Sequence, residues 1–300
     1  MPVEPTFSWQ ESTKPPSGPV NILLKNKSDI LYAASSTHGI LRSVDNGISW
    51  EFSNEGLTDS AVTSLCLDSS NALWAGTADS GLFQYNSDSK TWVRVNFPET
   101  RIWILATDPS GNIFAGTSTG FVRSADGGQT WFSLPIHFLK NGIISVLFLS
   151  GNMYLAGTFS QGIIKSSDGG INWSPTPLTA LTVTGLGTTM LEDILAGTIN
   201  QGGLISKDNG NTWEQLGNGF GSGSYHFLIN SAGYIYSCYP GEGVLRSDNN
   251  GINWRQINFN LSERSIIAIT MDAEKHLIAA ASSGRIFRTN FSSLRQHLPD

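Results

Sequence analysis

The chain has little charge. Asp, Glu, Lys and Arg make up 14% of its 300 residues, well below the usual quarter or so. Acidic residues outnumber basic ones, for a net charge of −6. That balance disfavours non-specific binding to nucleic acid or to an anionic membrane. Cysteine is scarce too. Cys66 and Cys238 alone cannot form a disulfide framework. No apolar run reaches the length of a membrane span, so membrane insertion is not expected. The stretch from Met1 to Pro19 is polar and Pro-rich, unlike a signal peptide. The expectation is a cytoplasmic protein, or a mature form whose leader was removed. Neither a phosphate loop nor a G-x-S-x-G elbow is present, and no cofactor is expected.

What the chain does have is 32 glycines and much Ser, Thr and Asn, the composition of many short strands and tight turns. It also repeats. A glycine followed by an apolar pair recurs at Gly39, Gly81, Gly120, Gly162, Gly203 and Gly243, and again at Gly284 with Arg285 in the first apolar place, with a period of about 41 residues. Before each stands a run of small residues, as in Leu73-Trp74-Ala75-Gly76-Thr77 and Leu195-Ala196-Gly197-Thr198. Before that comes an apolar run such as Val62 to Asp68 or Ile266 to Asp272, closed by turn residues. After most of the glycines comes a turn of the form Ser-x-Asp-x-Gly-x-x-Trp. It spans Ser43 to Trp50, Ser124 to Trp131, Ser166 to Trp173 and Ser206 to Trp213, and Ser247 to Trp254 has Asn249 in the Asp place. The short acceptor side chains hydrogen-bond nearby backbone N–H groups. The glycine supplies the positive φ of a tight turn, and the Trp folds its apolar face over it. Asp45, Asp126, Asp168, Asp208 and Asn249 are therefore structural candidates.

These turns resemble the Asp-box, or BNR-type, repeat of sialidases, sortilin-like receptors, two-propeller xyloglucanases and photosystem II assembly-factor-like proteins. The resemblance implies an all-β, seven-bladed β-propeller of four-stranded antiparallel blades, with the boxes joining the third and fourth strands away from the active face. It also favours an extracytoplasmic or secreted setting. Host proteins of this repeat do unrelated things, so it says little about activity. The second unit departs from the pattern. Tyr85 to Trp92 is one residue short and lacks the glycine, and it resembles the repeats of regulator-type propellers in bacterial sensor proteins.

Each unit reads as strands A, B and C, the box, and strand D starting at Trp. The last unit has A, B and C over Ile266 to Thr289 but no box, while Phe7-Ser8-Trp9 is unassigned at the other end. The economical solution puts Trp9 in the missing strand D and closes the ring, which removes two exposed sheet edges. Pro15 to Pro19 then serves as the D–A connection. One propeller over 1–300 is expected: closing strand and linker 1–18, blades 19–289, tail 290–300. Each cysteine stands where other repeats carry a small residue, Ala106 for Cys66 and Gly76, Gly116 and Gly157 for Cys238. Both read as buried free thiols.

In such a propeller the D–A and B–C loops share the face that usually holds ligands. Phe97, Trp103, Phe138, Phe159, Phe220, Tyr225 and Tyr239 lie there or close by, able to stack on a ligand or simply to fill gaps between blades. His38, His137 and His226 read as residues of separate loops without metal spacing, and no metal is expected. Asp59, Asp79, Glu99, Glu242 and Glu263 are the carboxylates available to glycosidase chemistry, which needs a pair. Arg101 and Trp103 break the repeat, since aligned positions hold Ala61 and Thr63, or Gly142 and Ile144.

The leading expectation is a non-catalytic binding module for a polypeptide or glycan. Its ligand residues would be drawn from Arg101, Trp103, Phe159, Tyr225, His226, Tyr239, Glu242, Arg264 and His38. The alternative is a glycan-active hydrolase or lyase using the carboxylates. Sialidases clamp their sugar with three arginines and use a Tyr–Glu pair; this face offers Arg101 and Arg264 and no Arg-Ile-Pro motif. Xyloglucanases of this type bind between two propellers, and one is predicted here. The assembly-factor family uses a basic patch, which an acidic chain with ten Arg and eight Lys does not readily supply.

Overall fold

A computed structural model describes residues 7–13, 18–199, 201–217, 219–221, 223 and 226–291. These form seven four-stranded antiparallel sheets and no helix. Blade 1, for example, runs Val20–Lys25, Leu31–Ser35, Gly39–Ser43 and Glu51–Phe52 in spatial order A-B-C-D. Strands A touch one another around the whole ring, including Ile266–Met271 of blade 7 against Val20–Lys25 of blade 1. They are therefore the innermost strands, and the chain is a β-propeller.

The Ala-Gly-Thr runs are strand B, and crowding at the axis explains their composition. A methyl group on Gly76 would lie 2.6 Å from Ser64 Oγ and 2.7 Å from Ile102 of the next blade. On Gly157 it would lie 2.4 Å from the Val183 carbonyl, also of the next blade. Strand A of one blade thus presses directly on strand B of the blade before it. The two thiols share this interior. Burial pushes the Cys66 thiol up to about 12 and the Cys238 thiol well above its usual range, so both stay protonated.

The boxed turns of blades 3 to 6 close on themselves in one pattern, and in blade 1 the Trp50 indole N–H is instead buried without a partner while Ser12 Oγ donates to the Gly47 carbonyl at 2.6 Å. Ser124 Oγ donates to Asp126 Oδ1 at 2.8 Å and accepts from the Gly128 N–H at 2.8 Å. Asp126 also accepts from the Thr130 N–H at 2.9 Å, and Trp131 Nε1 donates to the Gly128 carbonyl at 3.0 Å. Asp168, Asp208 and Asn249 repeat the arrangement. The Trp stands one residue before strand D rather than inside it, because its indole is folded back onto the turn; strand D of blade 1 begins at Glu51.

The ring closes with Phe7–Glu11 as strand D of blade 7, Trp9 opposite Thr289. The last strand runs to Phe291, two residues beyond the expected limit at Thr289, because it pairs back to Phe7. Residues 292–300, like Pro15 to Ser17 of the proposed connection, lie outside the described residues. Blades 2 and 7, which lack the box, use their Trp differently. Trp92 donates its N–H to the Glu55 carbonyl at 2.7 Å and its Nε1 to the Ser53 carbonyl at 2.7 Å. Trp9 does the same to Phe259 at 3.1 Å and to Ile257 at 2.6 Å. Without a box carbonyl to bond, each indole reaches across and clasps the D–A loop of the preceding blade.

Two expectations about stability follow. Trp9 is 2% exposed, so Trp9→Ala should cost about 3–5 kcal/mol, as for other buried aromatics cut to alanine; urea unfolding measures it. The Thr130 and Thr212 hydroxyls and N–H groups hold the Asp126 and Asp208 carboxyls down at about 2. An unfolded Asp titrates near ~3.9. The stabilisation is therefore complete above about pH 4 and lost as pH falls towards about 2. Melting temperature against pH should flatten across that window in an Asp126→Asn/Asp208→Asn double variant.

Candidate functional site

The D–A/B–C face is built by a recurrent device at the start of strand A. In blades 1, 2, 4, 5 and 7 the A–B register shifts by one residue, at Asn21, Thr63, Ile144, Thr184 and Ile267. A bulge of this kind re-aims one side chain. Each of these residues is partly or fully exposed beside a buried one, Val20, Val62, Ile143, Val183 and Ile266. The blade 3 residue at this position is Trp103, next to buried Ile102. The bulges thus set one side chain at the head of the innermost strand in five blades, and in blade 3, whose pairing has no such shift, the side chain at that place is an indole. Tyr225, which occupies the position in blade 6, lies outside the described residues.

B–C loops are pinned beside these bulges. The Ala78 N–H donates to the Ala61 carbonyl at 2.9 Å, and the Ile199 N–H to Thr182 at 3.2 Å. Side chains from blades 2, 3 and 4 therefore meet. Arg101 donates from Nε to the Ala78 carbonyl at 3.0 Å and from a terminal nitrogen to Asp79 Oδ1 at 2.9 Å. Its guanidinium carbon lies 5.3 Å from the centre of the Trp103 ring, within cation–π range. Trp103 meets Phe159 edge to face, centroids 4.9 Å apart. Its Nε1 is buried without a hydrogen-bond partner, against Gly142, where a methyl group would come within 2.5 Å of that nitrogen. Gly142 is the space the indole occupies. The result is a continuous row, Asp79–Arg101–Trp103–Phe159, with Arg101 half exposed.

The other sequence candidates fall elsewhere. Glu242 accepts from Gln256 Nε2 at 3.1 Å, and Gln256 Oε1 accepts from Arg264 at 3.0 Å, a relay across blades 6 and 7. Tyr239 is the last residue of strand B in blade 6 rather than a loop residue, and it packs against Gly223. His226 likewise starts strand A of blade 6, opposite Cys238, and is not in a loop. Burial lowers its pKa below the ordinary value, which favours the neutral imidazole. His38 Nδ1 shares a 2.7 Å hydrogen bond with the Thr37 hydroxyl on blade 1. His137 is exposed. Phe97 packs on Trp131, and Phe220 on Trp254 and Phe227, so these two fill gaps between strands rather than face a ligand. Phe138 lines a cleft of about 330 Å³ beside Lys140 and Gln161.

The carboxylates are spread over separate loops and mostly engaged. Asp59 accepts from the N–H groups of Ala61 and Asp79 at 2.9 and 3.0 Å. Glu263 accepts from the Ser283 hydroxyl at 2.6 Å. Glu99 is half-buried, with its carbonyl against Gly81. Among the described residues no group of three or more His, Cys, Asp or Glu side chains could hold a metal. What sequence reasoning missed is the set of strand-A heads. The spacing Val20, Val62, Ile102, Ile143, Val183, Ile266 marks it once the register is known.

A family model described as the two component regulator propeller matches residues 56–79, which include strands A and B of the divergent blade 2. No curated protein matches the chain in sequence. Solved structures match over nearly all of it at low identity. The extracellular domain of a putative hybrid two component system from B. thetaiotaomicron is 12% identical, with a TM-score of 0.77, covering 95% of this chain but 42% of that one. A structure of YCF48 bound to D1 peptide is 13% identical, with a TM-score of 0.75 and 96% coverage of both chains. A virginiamycin B lyase from Staphylococcus aureus is 12% identical, with a TM-score of 0.77, covering 95% of this chain and 99% of that one. An extracellular domain of a two component system, a protein solved with a bound peptide and a lyase share the architecture, so the likeness carries the fold and leaves the activity open.

Gly142→Ala tests the seat of the indole. The added methyl must displace Trp103, and about 1–3 kcal/mol of stability should be lost to overpacking. The near-ultraviolet circular dichroism band of the Trp103–Phe159 pair should change with it, whereas Gly151→Ala, at an open surface turn, should leave that band alone.

Proposed function

We propose that the chain is a non-catalytic binding module that seats a polypeptide on its D–A/B–C face, over blades 2 to 4. The observation that carries this reading is the row Asp79–Arg101–Trp103–Phe159. Arg101 and Trp103 stand where blade 2 holds Ala61 and Thr63 and blade 4 holds Gly142 and Ile144, and a repeat that breaks its own pattern marks a place under a different demand. A part-exposed aromatic pair with a guanidinium beside it is the kind of surface that anchors a partner.

A polypeptide suits the row better than a glycan. Sugar rings stack on an open aromatic face, and here Arg101 covers a face of the indole while Phe159 meets it edge to face. One architectural neighbour was solved with a peptide, which is consistent with the reading. The runner-up, a glycan-active enzyme, needs two carboxylates at catalytic separation. The candidates are distributed over five loops and largely occupied with loop N–H groups, hydroxyls and Arg101. We also read the Ser-x-Asp turns as Asp-boxes, structural in role and remote from this face.

A peptide array and a glycan array, probed with the full chain, test the proposal. Peptide hits are expected, weakened about tenfold or more in Arg101→Ala and Trp103→Ala and unchanged in Asp168→Asn. Hydrolysis or elimination of a glycan that is lost in Asp79→Asn or Glu242→Gln would instead establish the enzyme reading.

A further inference from the structure

The junction of blades 1 and 2 shares its frame with that of blades 6 and 7. Arg42 precedes Ser43 as Arg246 precedes Ser247, and Asn54 caps the Ile40 N–H as Asn258 caps the Val244 N–H. Trp92 and Trp9 make the same two bonds to the loops that follow. One thing differs. At blades 6 and 7 the guanidinium of Arg246 is buried between two rings, Tyr234 at 4.0 Å and Phe7 at 5.5 Å. At blades 1 and 2 the matching positions hold Ile30 and Lys90. No ring covers Arg42 from the place of Phe7, and a groove of about 510 Å³ is open there. Its walls include Tyr85 and Phe52, the latter 58% exposed.

We infer that this rim groove is a second binding site, which takes an aromatic side chain of a partner polypeptide in the place that Phe7 fills at the equivalent junction. Its size lies within the range of side-chain and small-ligand pockets. Tyr85 and Phe52 supply apolar walls, and Arg42, held by Glu51 at 2.7 Å, offers a guanidinium face for the ring. The formal charges around the groove balance, Arg42 and Lys90 against Glu51 and Glu55. Recognition therefore rests on the ring and not on net charge. The inference is independent of the reading of the D–A/B–C face.

The test uses the full chain and three blocked tripeptides, acetyl-Gly-X-Gly-amide with X as Phe, Leu or Ala, followed by saturation-transfer NMR at millimolar peptide. The Phe peptide should bind, the Leu and Ala peptides about tenfold more weakly or not at all, with little change between low and high salt because the groove is charge-balanced. Phe52→Ala should weaken the Phe peptide about tenfold with an unchanged melting temperature, since that ring is mostly exposed. Phe52→Tyr should restore binding, and Trp103→Ala should leave it intact. Equal binding of the Leu peptide, indifference to Phe52→Ala, or loss in Trp103→Ala would overturn the inference. So would displacement by oligosaccharide, or a concentration-dependent dimer in sedimentation that Phe52→Ala abolishes, which would assign the groove to a second copy.

Discussion

The close approach of strand A to strand B of the preceding blade is the constraint on which this molecule depends. A carbonyl at Val183 and a methyl at Ile102 stand where a Cβ on Gly157 or Gly76 would go. The contact is repulsive if anything larger than hydrogen is present, so the repeat keeps Gly, Ala or a small thiol there. It is favourable when those residues are small, because well-packed apolar atoms gain both dispersion and the release of water. The side-chain hydroxyls of Thr63 and Ser145 add hydrogen bonds across the same seam, to the carbonyls of Ile102 and Val183. Seven such seams make a ring, and each seam presupposes its neighbours.

The outer part of each blade is held by local chemistry instead. In blades 3 to 6 the Trp bonds its own Ser-x-Asp turn, whereas in blade 1 the Trp50 indole N–H is buried without a partner and the Gly47 carbonyl accepts from Ser12 instead. Blades 2 and 7 lack the turn, and their Trp bonds the preceding blade. One of these is the blade completed by the N-terminal strand, so the closure is locked by the same clasp that holds an ordinary blade. The stabilisation moves from within a blade to between blades, a change of partner with no change of residue type.

Function is to be sought where the repeat is broken. The bulge at the head of strand A leaves one residue unpaired in each of five blades and yields a set of outward-aimed positions. Most are filled by Asn, Thr or Ile, which offer little to a partner. Trp103 alone among the described positions brings a large ring, and Gly142 in the next blade makes room for it. Arg101 and Phe159 then arrive from two different loops. The rim junctions show the same logic in reverse, since Phe7 lays a ring over Arg246 in one place and Lys90 stands at the matching position in the other.

The sequence by itself determined the strands, the turns, the blade count and the closure by Trp9. Each of those is written in local chemistry, as periodic apolar runs, glycines at positive φ and short acceptor side chains, repeated often enough to be read against one another. It also singled out Arg101 and Trp103, because a repeat exposes its own exceptions. Tertiary structure alone decided which exceptions meet. Phe159 joins Trp103 and Phe97 does not, although both sit in loops of the same face, because B–C loops are pinned to bulged strand starts while Phe97 turns back onto Trp131. It also moved His226 into a strand and left a groove at Arg42 that no motif announces. Such features depend on register and on distances between blades, and a one-residue bulge re-aims a side chain without changing the sequence pattern around it.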